Sequence, residues 1–156
     1  MRSFSRFLLF AKQMGELYAE ALRGASREVD LSKQEAEVLL FLANNPQLDT
    51  ASDVAKYRGF SRAYVSKAVE GLLARGLIEI RVSREDRRVQ RLLIPPGAQG
   101  AAARLQTAQR AFFARLSAGI SHRELSACAS VLEKLMQNAE GIAAPCANGD
   151  ARRAPY

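Results

Sequence analysis

Hydrophobic residues recur along most of this chain at the three- and four-residue spacing of amphipathic α-helices. The first such pattern runs from Phe4 to Leu22 and is predicted to end near Gly24. Three later helices are predicted from capping boxes, in which a Ser or Thr side chain and an acidic side chain three residues later each accept a backbone N–H of the other residue. These boxes are Ser32 with Glu35, Thr50 with Asp53, and Ser121 with Glu124.

A short helix and a longer helix are predicted on either side of the Arg58-Gly59-Phe60 turn. The short helix begins at Thr50, and the longer one begins after Ser61 as its N-cap and ends near Gly76. Two helices joined in this way are typical of a helix-turn-helix, whose second helix enters the major groove of DNA. We call this second helix the reader helix.

The hydrophobic period changes to two after the reader helix, which predicts a β-hairpin. We call this hairpin the wing, and residues 83–88 are its tip. Pro95-Pro96-Gly97 ends the strand pairing, and a long alanine-rich helix is predicted from there to about Gly119. The alternating apolar residues are Ile78, Ile80 and Val82 on the first strand and Leu92 and Ile94 on the second.

These elements predict a mainly α fold with a small β-hairpin, namely a winged helix-turn-helix with N- and C-terminal helices. Residues 31–96 are predicted to form the DNA-binding domain, and residues 1–30 and 97–140 a helical dimerisation bundle. The terminal helices carry more apolar surface than the winged domain can cover, and a two-fold dimer would match a pseudo-palindromic DNA operator. A closed helical subdomain within one chain is the alternative. Residues 141–156 are predicted to be a disordered tail.

The chain is strongly basic, with 23 Lys and Arg residues against 16 Asp and Glu residues and a net charge of +7. Such a balance favours a polyanionic partner. Residues 61–91 hold eight Lys or Arg residues and four Asp or Glu residues, so this segment contributes a net +4. Because that excess lies on the reader helix and the wing, double-stranded DNA is the predicted partner. No apolar run approaches the roughly 20 residues that cross a bilayer, so a membrane is not a predicted partner.

Five residues near the start of the reader helix are predicted to contact DNA in the major groove. Basic side chains there would bind a guanine edge or a phosphate, the hydroxyl group would bind either, and the remaining two would contact a thymine methyl. The alternative interpretation is an ordinary solvated helix face. The five residues are Arg62, Ala63, Tyr64, Ser66 and Lys67.

The wing tip concentrates arginine, which is costly unless an anionic surface meets it. A narrow minor groove is such a surface, and Arg84, Arg87 and Arg88 are predicted to contact DNA there. Glu85 and Asp86 would be repelled by phosphate, so at least one of them is predicted to brace the tip. A charged turn that only keeps the protein soluble is the alternative.

The capped reader helix is followed by three short motifs, Gly76-Leu77-Ile78, then Asp86-Arg87-Arg88, then Leu93 to Gly97. With these motifs, residues 31 to 140 resemble, in order and spacing, the MarR family of bacterial transcription regulators. The resemblance implies a winged-helix dimer with its interface in the terminal helices, an Asp86–Arg88 pair that holds the wing, and Arg87 in the minor groove. The chain departs from the family pattern at Ile80, where arginine is frequent, and at Ile94, where threonine is frequent.

The sequence gives little support for catalysis, for metal or cofactor binding, or for cysteine redox chemistry. The chain has one histidine, His122, and no Gly-rich phosphate loop, metal-ligand cluster or placed catalytic base, so neither an enzyme nor a cofactor or metal site is predicted. Cys128 lies on an apolar stripe, where a small buried hydrophobic residue is favoured over a redox sensor. Cys128 and Cys146 have no metal-ligand spacing, and a reducing cytoplasm fits them.

The sequence thus predicts a sequence-specific, dimeric DNA-binding transcription regulator, a repressor relieved by a small ligand. An aromatic cluster is interpreted as core packing, with a cavity for an amphipathic or aromatic ligand as the alternative. A winged-helix module that binds an acidic protein instead of DNA is the alternative function. The cluster comprises Phe10, Met14, Tyr18, Phe112 and Phe113.

Overall fold

A computed structural model of the protein describes residues 2–147, which form two compact units divided between Ala114 and Arg115. The predicted mainly α fold with one β-hairpin is confirmed. The described residues form six α-helices, an antiparallel strand pair and a short 3-10 helix at Pro96–Ala98. The α-helices and strands are α1 (Arg2–Glu28), α2 (Lys33–Asn44), α3 (Ala51–Arg58), α4 (Arg62–Ala74), β1 (Glu79–Val82), β2 (Gln90–Leu93), α5 (Gln99–Leu116) and α6 (His122–Ala147).

The predicted helix starts are confirmed by their hydrogen bonds. Ser32 and Glu35 form the reciprocal capping box before α2, since the Glu35 carboxylate accepts the Ser32 N–H at 2.8 Å and the Glu35 N–H reaches the Ser32 hydroxyl at 3.3 Å. Thr50 and Asp53 form the same box before α3. Ser61 caps the reader helix α4 by accepting the Tyr64 N–H at 3.2 Å. These caps bind backbone donors that a helix start leaves without an intrahelical partner.

Helix α1 does not end near Gly24, as the sequence predicted, but continues to Glu28. A glycine inside a helix costs about 1 kcal/mol relative to alanine. Burial of Leu22 and Ser26 on the same helix offsets that cost, and the Ser26 hydroxyl donates to the Leu22 carbonyl at 2.8 Å. The chain turns instead at Asp30, which has a positive φ of 51°.

The core of the first unit surrounds α2, the most completely buried helix. Val38 and Leu39 of α2 have no exposed surface, and neither has Leu72 of the reader helix. Helix α5 closes the core through Leu105, which is also fully buried. The reader helix is therefore fixed against α2 by apolar packing along its inner face.

The wing contributes only part of its predicted apolar face to this core. Ile78 and Leu92 are buried, but Ile80 and Val82 are 42% and 50% exposed, so the alternating apolar face of the first strand is only partly covered. Strand β1 pairs with β2 in an antiparallel register that places Ile80 opposite Leu92 and Val82 opposite Gln90. Strand β2 is attached to the protein by its Leu92 N–H, which donates to the Asp49 carbonyl at 2.6 Å.

The second unit contains helix α6, which begins after the confirmed Ser121–Glu124 capping box. This helix continues to Ala147, so residues 141–147 of the predicted tail are helical, and residues 148–156 lie outside the described part. Cys128 is exposed on this helix rather than buried, because no other element of its unit covers that face. The side chain of Cys146 lies outside the described residues.

Candidate nucleic-acid interface

The start of the reader helix presents four of the five predicted contact residues to solvent. Arg62, Ala63, Ser66 and Lys67 are exposed, whereas Val65 in the same turn is 1% exposed and faces the core. The Ser66 hydroxyl lies 3.3 Å from a Glu70 carboxylate oxygen one turn later, to which it donates. The exposed face therefore combines two cations with a small residue and a hydroxyl group, the kinds of side chain that read base edges.

Tyr64, the fifth predicted contact residue, faces α2 rather than solvent. It is half-buried, and its hydroxyl donates a hydrogen bond to the Glu37 carboxylate. Its ring packs against Phe60, with 4.6 Å between the ring centroids. Burial raises the pKa of the Tyr64 hydroxyl, and the hydrogen bond to Glu37 raises it further, so the group is a neutral donor. The sequence indicated the exposed face of this helix but not the partner of this hydroxyl.

The last turn of α3, just before the reader helix, holds two cations that were not among the predicted DNA contacts. The Arg58 guanidinium lies 5.3 Å from the centroid of the Phe60 ring, and the Lys56 ammonium lies 5.3 Å from that of Tyr57. Lys56 also lines an open groove of about 690 Å³, between α3, the reader helix and the wing, together with Arg62 and Ser66. The sequence did carry a signal for these cations, since they lie in the last turn of the helix that precedes the reader helix.

The wing tip is a tight turn organised around Asp86. Its carboxylate accepts the Arg88 N–H at 2.9 Å, and its carbonyl accepts the Val89 N–H at 2.9 Å. The Ser83 N–H closes the tip by donating to the Val89 carbonyl at 2.9 Å. Asp86 thus contacts Arg88, its partner in the brace that the family resemblance implied, through the Arg88 backbone N–H. Arg84, Arg87 and Arg88 are all exposed.

Ion pairs divide the cations of residues 61–91 into two groups. Arg75 pairs with Asp30 at 2.8 Å, Arg81 with Glu79 at 2.9 Å, and Arg91 with Asp49 at 2.8 Å. The other five form no salt bridge with any residue that the structure describes, and all five were predicted DNA contacts. These five, which we call the unpaired cations, are Arg62, Lys67, Arg84, Arg87 and Arg88.

Gly71 of the reader helix lies against the Glu35 side chain of α2. A Cβ atom at this position would lie 2.2 Å from the Oε1 atom of Glu35, which is 8% exposed. The same oxygen lies 3.3 Å from the Arg75 Nε atom. Burial raises the pKa of the Glu35 carboxyl, but the hydrogen bonds from Ser32 and the charge of Arg75 outweigh it and hold the pKa below its ordinary value. This carboxylate therefore links the N-terminus of α2 to the end of the reader helix.

The aromatic residues of α1 and α5 meet around Tyr18. Its ring lies 5.5 Å from Phe112 and 6.1 Å from Phe113, measured between centroids, and its hydroxyl accepts a hydrogen bond from Gln109 at 2.7 Å. Met14 is half-buried, whereas Phe10 is 52% exposed. The predicted cluster thus forms around Tyr18 without Phe10 in its interior.

The described residues hold no group of three or more His, Cys, Asp or Glu side chains arranged to bind a metal ion. Among the described helices, none is long and apolar enough to cross a membrane.

Comparison with known proteins finds a family match for part of the chain. Residues 29–89 match the sequence profile of the MarR family, which confirms the resemblance seen in the wing and the reader helix. A MarR family transcriptional regulator from Silicibacter pomeroyi is 26% identical, with a TM-score of 0.71 over 83% of this chain and 86% of that one. A search of curated proteins found no match.

Two solved structures of similar fold contain DNA. A MarR family regulator from Listeria monocytogenes, complexed with a 26mer DNA, is 16% identical, with a TM-score of 0.78 over 94% of this chain and 97% of that one. The S. aureus MepR–DNA complex is 17% identical, with a TM-score of 0.71 over 88% of this chain and 99% of that one. At these identities the likeness establishes the fold.

Proposed function

We propose that this chain, whose residues 29–89 belong to the MarR family, is a sequence-specific DNA-binding transcription regulator. The division of cations on the reader helix and the wing carries this proposal. Cations that serve the fold are paired with carboxylates, while the five unpaired cations all lie on the two elements that a winged helix-turn-helix presents to DNA. The DNA complexes of two structurally similar proteins support the same partner.

The two elements would contribute differently to binding. Arg62, Ser66 and Lys67 on the reader helix would contact base edges in the major groove and supply sequence preference. Arg84, Arg87 and Arg88 at the wing tip would contact the minor groove and its phosphates, where affinity depends on charge and groove width rather than on base identity.

The protein would act as a homodimer through its terminal helices. Helix α1 exposes Phe7, Leu8, Leu9 and Phe10, each by more than half of its surface, and α6 exposes a second apolar stripe. Contiguous apolar patches of this kind mark association surfaces. A two-fold dimer would place two reader helices on the two halves of a pseudo-palindromic operator. The exposed apolar residues of α6 include Leu125, Val131, Leu132, Leu135 and Met136.

Repression relieved by a small ligand is the proposed form of regulation. An open groove of about 1060 Å³ beside α1 and α2 is lined by apolar Leu17, by Tyr18 and by charged residues of both signs, among them Arg58 and Glu20. This combination suits a small amphipathic or aromatic ligand. Because Arg58 belongs to the turn before the reader helix, a ligand bound there would contact both the helical region and the DNA-binding domain.

A salt titration tests the proposed partner. The purified protein should retard DNA from upstream of its own gene, more strongly than a scrambled duplex, with log affinity falling linearly with log salt. Simple aromatic carboxylates, added to the same reaction, should release the DNA, and sedimentation should show a dimer at micromolar concentration. A protein-binding wing would show neither sequence preference nor a salt slope on DNA, and that result would refute the proposal.

A further inference from the structure

Tyr64 occupies an unusual position in the reader helix. It belongs to the same first turns as Arg62, Ala63 and Ser66, yet its side chain faces inward and its hydroxyl donates to Glu37 of α2. The remaining inner contacts of these turns are apolar, chiefly from Val65 and Ala68, which are each 1% exposed. In this part of the helix, the Tyr64 hydroxyl therefore makes a hydrogen bond, which depends on direction, among apolar contacts, which do not.

The partner of this hydroxyl belongs to α2, the most completely buried helix of the domain. Glu37 precedes Val38 and Leu39, which have no exposed surface, so its backbone is held by the centre of the core. The ring of Tyr64 is held as well, since it packs on Phe60, and Phe60 lies beneath the Arg58 guanidinium. Arg58, Phe60 and Tyr64 thus form a stack that fixes the turn before the reader helix.

Rotation of the reader helix is the motion that this contact opposes. Apolar packing along one helix face tolerates small rotations, because it depends on buried area rather than on direction. A hydrogen bond weakens steeply when its angle departs from linearity. Base-edge readout requires similarly precise placement, because bidentate contacts are lost when the side chains shift.

We infer that the Tyr64–Glu37 hydrogen bond is a positioning contact that sets the rotation of the reader helix and thereby its discrimination between DNA sequences. This inference rests on the proposed DNA-binding function. Tyr64 acts through the orientation of Arg62, Ser66 and Lys67 and does not itself contact a base. The contact therefore contributes to operator binding and not to the sequence-independent attraction of the wing.

A double-mutant cycle on the full-length protein tests this inference. The variants are Tyr64→Phe, Glu37→Ala and the double variant, with Glu37→Gln as the matched control that keeps an acceptor for the Tyr64 hydroxyl. The probes are the duplex that the wild-type protein selects from a random library and a scrambled duplex of equal composition. Circular dichroism and thermal unfolding establish that each variant is folded.

Each single variant should bind the selected duplex about tenfold more weakly, the effect of misplacing one base contact. Binding to the scrambled duplex and the salt slope should stay unchanged. The double variant should be no weaker than either single one, and Glu37→Gln should retain most of the discrimination.

Three results would overturn the inference. Equal losses of affinity for both duplexes would show that the contact is merely structural. A lower unfolding temperature without a loss of discrimination between the duplexes would show the same. If Tyr64→Phe still weakens selected-duplex binding in the Glu37→Ala background, the hydroxyl contacts DNA directly. A wild-type protein that selects no duplex refutes the proposed function itself, and this is seen before any variant is compared.

Discussion

Replacement of Arg87 by alanine offers the most direct test of the unpaired cations. Arg87 is exposed at the wing tip and forms no salt bridge with the residues that the structure describes. Its guanidinium is therefore available to a phosphate without first losing a carboxylate partner. Arg81 on the same hairpin is the matched control, since it is also exposed but lies 2.9 Å from Glu79.

The expected magnitude follows from counterion release. Each phosphate contact contributes about 0.9 to the slope of log affinity against log salt, so it raises affinity about eightfold at 0.1 M salt relative to 1 M salt. Arg87→Ala should therefore reduce the slope by about 0.9 for each wing that engages DNA and weaken binding to all duplexes alike. Arg81→Ala removes a cation whose charge Glu79 already offsets, so its slope should be close to that of the wild type.

Fluorescence anisotropy titrations on the selected and scrambled duplexes, at salt concentrations from about 0.05 to 0.2 M, measure both slopes. If Arg87→Ala keeps the salt slope of the wild type, the wing does not contribute to DNA binding. Equal changes in slope for Arg87→Ala and Arg81→Ala would show that pairing within the protein does not decide which cations contact DNA.

Three further predictions concern the reader helix and its supports. Arg62→Ala or Lys67→Ala should reduce the preference for the selected duplex by roughly tenfold, as expected for one base contact, and equal losses on a scrambled duplex would demote that residue to a phosphate contact. Ser61→Ala should lower the free energy of unfolding in urea by about 1 kcal/mol, because the Tyr64 N–H loses its cap. The lowered pKa of the Glu35 carboxyl implies a contribution to stability that is complete above pH 4.5, the ordinary value of this pKa, and is lost as pH falls below it. Urea unfolding of Glu35→Gln should therefore show a smaller acid-induced decline in the free energy of unfolding than the wild type. An identical decline would exclude this carboxyl as its cause.

The local signals in the sequence predicted the element order well because each depends on neighbouring residues. The Ser32 and Thr50 capping boxes, the Ser61 cap and the Arg58-Gly59 break all act within four residues, and the structure confirms each. The end of α1 could not be predicted in this way. Its extension past Gly24 depends on burial of Leu22 and Ser26 against later parts of the chain.

The wing shows a related limit of periodicity. Alternation of Ile78, Ile80 and Val82 indicated a strand, and a strand is present, but alternation alone does not show how far a core extends beneath it. Ile78 and Leu92 lie in the core and Ile94 packs against it, whereas Ile80 and Val82 of the first strand are exposed.

The roles of the charged residues depend on contacts that no local pattern contains. Arg75 and Arg91 look no different in sequence from Arg87 and Arg88, yet their carboxylate partners, Asp30 and Asp49, lie more than forty residues away. Tyr64 is similar, because its partner Glu37 lies 27 residues earlier in the chain. Three-dimensional pairing therefore converts a count of basic residues into two functional groups, those that hold the domain together and those left to meet an anionic partner. Under the proposed function, the same pairing makes Tyr64, a predicted base contact, the residue that orients the side chains that read bases.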